Sequence, residues 1–142
     1  MKFGIFVLAL FSLISCGSLN SKEYIGEVSR GVLPKVSSVS CINGRLHLNY
    51  SIQIVSNPVT IDFGFSRFFP IKVVFKDAHK KIISKTEIPA TISDKLIEHD
   101  GQPPYDDAIQ HFDLNLQYPA SAAYFDVILG STNVIVSDVP MP

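Results

Sequence analysis

A strict alternation of apolar and polar side chains from Arg45 to Val55 constrains the fold of this chain more than any other feature. One face of the segment is apolar or aromatic and consists of Leu46, Leu48, Tyr50, Ile52 and Ile54. The opposite face is polar and consists of Arg45, His47, Asn49, Ser51 and Gln53. Successive side chains of a strand point to opposite faces, so a period of two predicts a half-buried antiparallel strand.

Several further segments have the same period, and turn residues separate them. Asn43-Gly44 is a tight-turn signal, which predicts that residues 36–42 and 45–55 form a hairpin. A second hairpin is predicted from Ile71–Lys76 and Lys81–Ile88 around the turn at 77–80. The other predicted strands are 60–65, 109–118, 124–129 and 134–139.

These seven or eight short strands predict an all-β chain with a single antiparallel β-sandwich. A small closed barrel is the alternative architecture. We divide the chain into a signal segment at 1–15, a flexible tether at 16–34 and the sandwich domain at 35–142. The formal net charge of −1 excludes a general nucleic-acid binder, and the chain carries no nucleotide-binding or phosphate-loop motif.

The stretch from Leu116 to Phe125 resembles the region that leads into the sixth strand of immunoglobulin-like and fibronectin type III domains. In those domains a tyrosine follows a tight corner, and its hydroxyl bonds back to the main chain. The resemblance implies an immunoglobulin-like sandwich with Tyr124 as the corner tyrosine. Asp126 stands where the second cysteine of antibody domains would be, so the likeness is to the broader architecture.

The N-terminus has the three parts of an export signal. Met1-Lys2 is positively charged, an apolar run of about 12 residues follows, and small residues close it. The end of the run, Leu13-Ile14-Ser15-Cys16, resembles the lipobox of bacterial lipoproteins, in which the cysteine becomes the acylated first residue of the mature chain. The resemblance implies lipidation at Cys16.

This resemblance also implies a location and a use for the cysteines. Gly17 after the anchor is similar to lipoproteins sorted to the outer membrane, facing the periplasm, if the organism is Gram-negative. The chain has two cysteines. If Cys16 is acylated, Cys41 has no partner within the chain, and we expect it to be a buried, small apolar side chain. A reactive thiol or an intermolecular bridge is the alternative.

Two surface features are candidates for contact with a partner. Phe68 and Phe69 are adjacent, so period-two burial cannot place both rings in the core. The predicted second hairpin is basic, through Lys72, Lys76, Lys80, Lys81 and Lys85. Such a ridge is suited to an acidic partner or lipid phosphate, although lysines also protect edge strands from pairing.

Positive evidence for an enzyme, a metal site or a cofactor is absent from the sequence. The four histidines lack metal-ligand spacing. One acidic loop carries Glu98, Asp100, Asp106 and Asp107. This loop is a solvated surface loop or a weak Ca²⁺ site, and its spacing does not match an EF-hand. No catalytic residue and no cofactor is predicted.

The first functional hypothesis is a non-catalytic binding or scaffold module, lipid-anchored in the bacterial envelope, that presents loops or an edge strand to an envelope protein. The alternative is a lipoprotein inhibitor or exclusion factor that occludes an envelope target or a lysozyme-like enzyme. A cell-wall hydrolase is the second alternative, and only the loop carboxylates motivate it.

Overall fold

The computed structural model describes residues 19–20, 22–29, 31–55, 69–93, 96, 108–130 and 132–142. The strands in this part of the chain are β1 Leu19–Asn20, β2 Tyr24–Ile25, β3 Val32–Ile42, β4 Arg45–Ile54, β5 Ile71–Lys76, β6 Ile82–Ile88, β7 Ile109–Leu116, β8 Tyr124–Leu129 and β9 Ile135–Pro140. The strand predicted at 60–65 lies outside the described residues.

Two antiparallel sheets pack face to face. The first sheet has the order β1-β3-β4-β7, with β2 also paired to β3, and the second sheet has the order β6-β5-β8-β9. From β3 onward, three strands (β3, β4 and β7) lie in the first sheet and four (β5, β6, β8 and β9) in the second. The predicted all-β antiparallel sandwich is confirmed.

The β3–β4 hairpin forms as its turn signal predicts. Asn43 and Gly44 both have positive φ angles, 52° and 74°, which is the conformation of the two-residue turns that match strand twist. The register continues outward from the pair Ile42 and Arg45. All five apolar side chains of the alternating β4 segment are buried in the core, so the assignment of its faces is also confirmed.

The predicted tether is partly incorporated into the sandwich. Leu19–Asn20 and Tyr24–Ile25 pair with β3, which itself begins at Val32. Gly26 allows the main chain after β2 to lie close to β9, because a Cβ atom on Gly26 would overlap the carbonyl oxygen of Ile135. The segment between 16 and 34 is therefore not a free linker throughout.

Tyr50 is a buried polar exception within the apolar core. Its hydroxyl has no hydrogen-bond partner among the described residues, and its ring lies 6.1 Å from that of Phe112 between centroids. Burial raises the pKa of Tyr50, so the hydroxyl stays protonated and carries an uncompensated desolvation cost.

We expect Tyr50→Phe to raise the free energy of unfolding by about 1 kcal/mol, because the ring is kept and the unpaired hydroxyl is removed. Urea denaturation of the two proteins measures the difference. Tyr50→Leu is the control, since it removes both the hydroxyl and the ring and should destabilise. A loss of stability in Tyr50→Phe would mean that the hydroxyl has a partner outside the described residues.

Candidate functional site

The β5–β6 hairpin carries the five lysines that the sequence singles out, but they do not form one free basic ridge. The Lys76 side chain lies across the neighbouring strands of its own sheet, and its ammonium is 2.8 Å from Asp126 and 3.1 Å from Asp138. Lys72 lies 4.0 Å from Glu87 across the hairpin. Much of the positive charge is therefore balanced within the domain.

Lys76, Asp126 and Asp138 form an ion network across three neighbouring strands. The Lys76 and Asp126 side chains are only 16% and 13% exposed. A bulge in β9 places two residues opposite Asp126, and Asp138 takes a positive φ of 55° there. The main-chain N–H of Asp138 donates to Asp126 Oδ1 at 2.8 Å, which fixes the bulge to β8.

The network shifts the pKa values of Lys76 and Asp138 toward their charged forms. Desolvation lowers the pKa of Lys76, but hydrogen bonds to Asp126 and Asp138 outweigh it, so the pKa of Lys76 is raised. The hydrogen bond from Lys76 holds the pKa of Asp138 below its usual value. The contribution of Asp138 to stability is thus lost as the pH falls through its folded pKa, and that of Lys76 as the pH rises through its own.

Tyr124 differs from the expected corner tyrosine. It begins β8 as the resemblance predicts, but the core side chains of that strand are Phe125, Val127 and Leu129. Tyr124 therefore points to the outer face, where the Lys80 ammonium lies 5.4 Å from its ring centroid. Lys80 also lies 3.5 Å from Asp138, so the ring and the ion network are neighbours.

Phe69 is the described member of the aromatic pair, and it is not an exposed anchor. Its ring is partly buried, packs on the core and lies against Gly130, where an added Cβ atom would be 2.9 Å from the ring. Phe68 lies outside the described residues. The contact role expected for Phe69 would therefore require this packing to open.

A different apolar feature is exposed on the same hairpin. Ile82 and Ile83 are 54% and 38% exposed, and β6 is the outermost strand of the second sheet as the structure describes it. Lys81 and Lys85 are exposed on either side. We name this surface, residues 81–90, the β6 edge. Two adjacent isoleucines in a strand are a sequence signal of the same kind as Phe68-Phe69, but the sequence analysis missed it.

The outer face of the first sheet carries a polar ladder whose side chains bond one another. Asn49 Nδ2 donates to Asp113 Oδ1 at 2.8 Å, and Asn49 Oδ1 lies 3.0 Å from His111 Nδ1. Arg45 Nε donates to Asn115 Oδ1 at 2.6 Å. These cross-strand contacts pair the polar side chains of the ladder with one another.

The other predicted site residues stay outside the described part of the chain. They are Cys16 and the loop carboxylates Glu98, Asp100, Asp106 and Asp107. Within the described ranges, no group of three or more His, Cys, Asp or Glu side chains is placed to hold a metal ion.

Cys41 corrects one expectation. It is buried in β3 and disulfide-bonded, so it is not a free thiol as the sequence analysis expected. The chain contains only one other cysteine, Cys16. A bridge within the chain would need the same sulfur atom that a lipid anchor would use, so the two are alternative fates of Cys16.

Comparison with known proteins returns no match to a family model, to a curated protein or to a solved structure. Among the described residues, no helix has the length and apolar character needed to cross a bilayer.

Proposed function

We propose that this chain is a lipid-anchored binding module of the bacterial envelope, held by an acylated Cys16 at the outer membrane and facing the periplasm. The charged start, the apolar run and the ending Leu13-Ile14-Ser15-Cys16 support the export and anchoring parts of the proposal. Several acyl chains on one cysteine hold a protein firmly, whereas a single chain does not.

The β6 edge is the observation that carries the binding part of the proposal. An edge strand presents unpaired main-chain N–H and C=O groups, and proteins normally blunt such edges. Here the edge also exposes two adjacent isoleucines between two lysines. An apolar patch with a charged rim is typical of a protein-binding surface.

The anchor geometry fits such a module. Leu19 and Asn20 pair with Ser40 and Val39 of β3, so the sheet begins three residues after Cys16. β3 belongs to the first sheet, whereas the β6 edge belongs to the second. An anchor at the edge of one sheet leaves the edge strand of the other available to a periplasmic partner.

The function is tested by cross-linking the full-length protein to its neighbours in intact cells. We expect Ile82→Ser to remove adducts that the wild type forms with another envelope protein, because an apolar contact at the edge is lost. Ile25→Ser is the matched control, since Ile25 is 60% exposed on β2 in the other sheet. Adducts that survive Ile82→Ser and Lys81→Glu would exclude the β6 edge as the binding surface.

A further inference from the structure

We propose that two copies of this chain pair through their β6 edges in antiparallel orientation, with Thr86 on the two-fold axis, so that their second sheets join into one. This inference rests on the proposed function in one respect, because both use the β6 edge as the binding surface. It adds the identity of one partner, a second copy of the chain. Three independent features of the β6 edge carry it: main-chain direction, charge order and an apolar groove.

The first feature is the direction of the main-chain groups in β6. The Phe69 N–H donates to the Ala90 carbonyl at 3.0 Å, and this pair continues the register of β5 and β6. On the other side of β5, Pro70 accepts from Gly130 at 2.7 Å. Antiparallel ladders alternate, so the groups that face β5 belong to Ser84, Thr86 and Ile88. Among the described residues, the groups that face away from the sheet without a ladder partner belong to Lys85 and Glu87, whereas Ile83 is the extra residue of a bulge between Ser84 and Ile82.

The second feature is charge order, which favours one register over its two nearest neighbours. A second copy can bond only where its outward residues meet outward residues, so odd-numbered positions must pair with odd-numbered positions. With Thr86 opposite itself, Lys85 lies opposite the second copy's Glu87, and Glu87 opposite its Lys85. A shift by one step in either direction places Lys85 opposite Lys85 or Glu87 opposite Glu87, which is unfavourable.

The third feature is a groove at the far end of the same strand. Its volume is about 310 Å³, and it is lined by Phe69, Pro70, Glu87, Pro89 and Ala90. In the register set by Thr86, the bulged end of β6 that carries Ile82 and Ile83 in one copy lies beside Pro89 and Ala90 of the other. The exposed isoleucines of each copy would therefore cover the groove of the other, as a self-complementary two-fold interface requires.

The pairing predicts a specific cross-link. Residues opposite each other in a non-hydrogen-bonded antiparallel pair have Cα atoms about 4.5 Å apart, which a disulfide can span. We therefore expect Thr86→Cys in the full-length chain to give a covalent dimer under mild oxidation. Ser84→Cys is the matched control on the same half-buried face, since the two Ser84 positions would be roughly 13 Å apart. Wild type gives the background from its own cysteines.

Charge reversal provides a second measurement that does not depend on a new thiol at the interface. In the chain without an added cysteine, Lys85→Glu places a second carboxylate opposite Glu87 on both sides of the two-fold axis. We expect a dimer dissociation constant roughly tenfold higher, measured by analytical ultracentrifugation. The double variant Lys85→Glu with Glu87→Lys restores opposite charges and should restore the dimer. Thermal melts of each variant check that the sandwich remains folded.

The proposal is overturned if Thr86→Cys dimerises no more than Ser84→Cys, or if the charge-swapped double variant is as monomeric as the single variant. A dimer trapped better through Lys85→Cys would overturn the register, and adducts only with other proteins would overturn self-pairing. Those heterologous adducts would leave the proposed binding function standing. Conversely, a dimer without any envelope adduct would support this inference and contradict the proposed function.

Discussion

Replacing Ile52 with alanine is expected to lower the free energy of unfolding by about 2–5 kcal/mol. Ile52 lies in β4, between β3 and β7 in the first sheet, and its side chain is fully buried in the core between the sheets. The substitution removes apolar contacts and leaves a cavity that neighbouring side chains fill only in part. Urea or guanidinium denaturation, followed by circular dichroism, measures the loss.

The matched control is His47→Ala in the same strand. His47 points to the opposite face, which is partly exposed, so its removal should cost less than about 0.5 kcal/mol. Similar losses at the two positions would contradict the assignment of faces in β4, and with it the packing of the two sheets. A far-UV spectrum dominated by helix would contradict the sandwich altogether.

The strands and hairpins could be predicted because they depend on local signals. The alternation in β4 and the Asn43-Gly44 turn specify both the strand face and the register of the first hairpin. Ser51 shows where the period-two rule stops. It is on the polar face, yet it is buried, because β4 is a central strand whose outer side chains are flanked by β3 and β7.

Tyr124 lies in the predicted strand, but its side chain is on the face opposite to the expected one. The resemblance places it correctly at the start of a strand, β8. The direction of its side chain depends on whether the odd-numbered or the even-numbered residues of β8 face the core. The odd-numbered residues Phe125 and Val127 do so. A shift by one residue moves every side chain to the opposite face.

The lysine hairpin was only partly predictable because its partners are distant in sequence. Lys76 is neutralised by Asp126 and Asp138, about 50 and 60 residues later in the chain, and the second of these depends on a bulge. A charge count along the chain therefore overestimates the free basic surface. The exposed isoleucines of the β6 edge were missed because their exposure depends on β6 being outermost in the described sheet.

The two cysteines connect the fold to the proposed anchoring. Cys41 is disulfide-bonded, and the sequence offers one further cysteine, Cys16. A disulfide is itself typical of an exported protein, so the bridge and the lipid anchor agree on compartment. If the bridge is formed within the chain, it and the lipid anchor compete for the same sulfur atom of Cys16, so this residue is where the proposal is tested.

Metabolic labelling of cells with a palmitate analogue tests the central claim most directly. We expect the wild type and Cys41→Ser to carry the label and Cys16→Ser to lose it completely, because Cys16 would be the acylated residue. The contradictory result is an unlabelled wild-type protein whose non-reduced peptide masses join Cys16 to Cys41. That outcome would replace the lipid anchor with a disulfide within the chain.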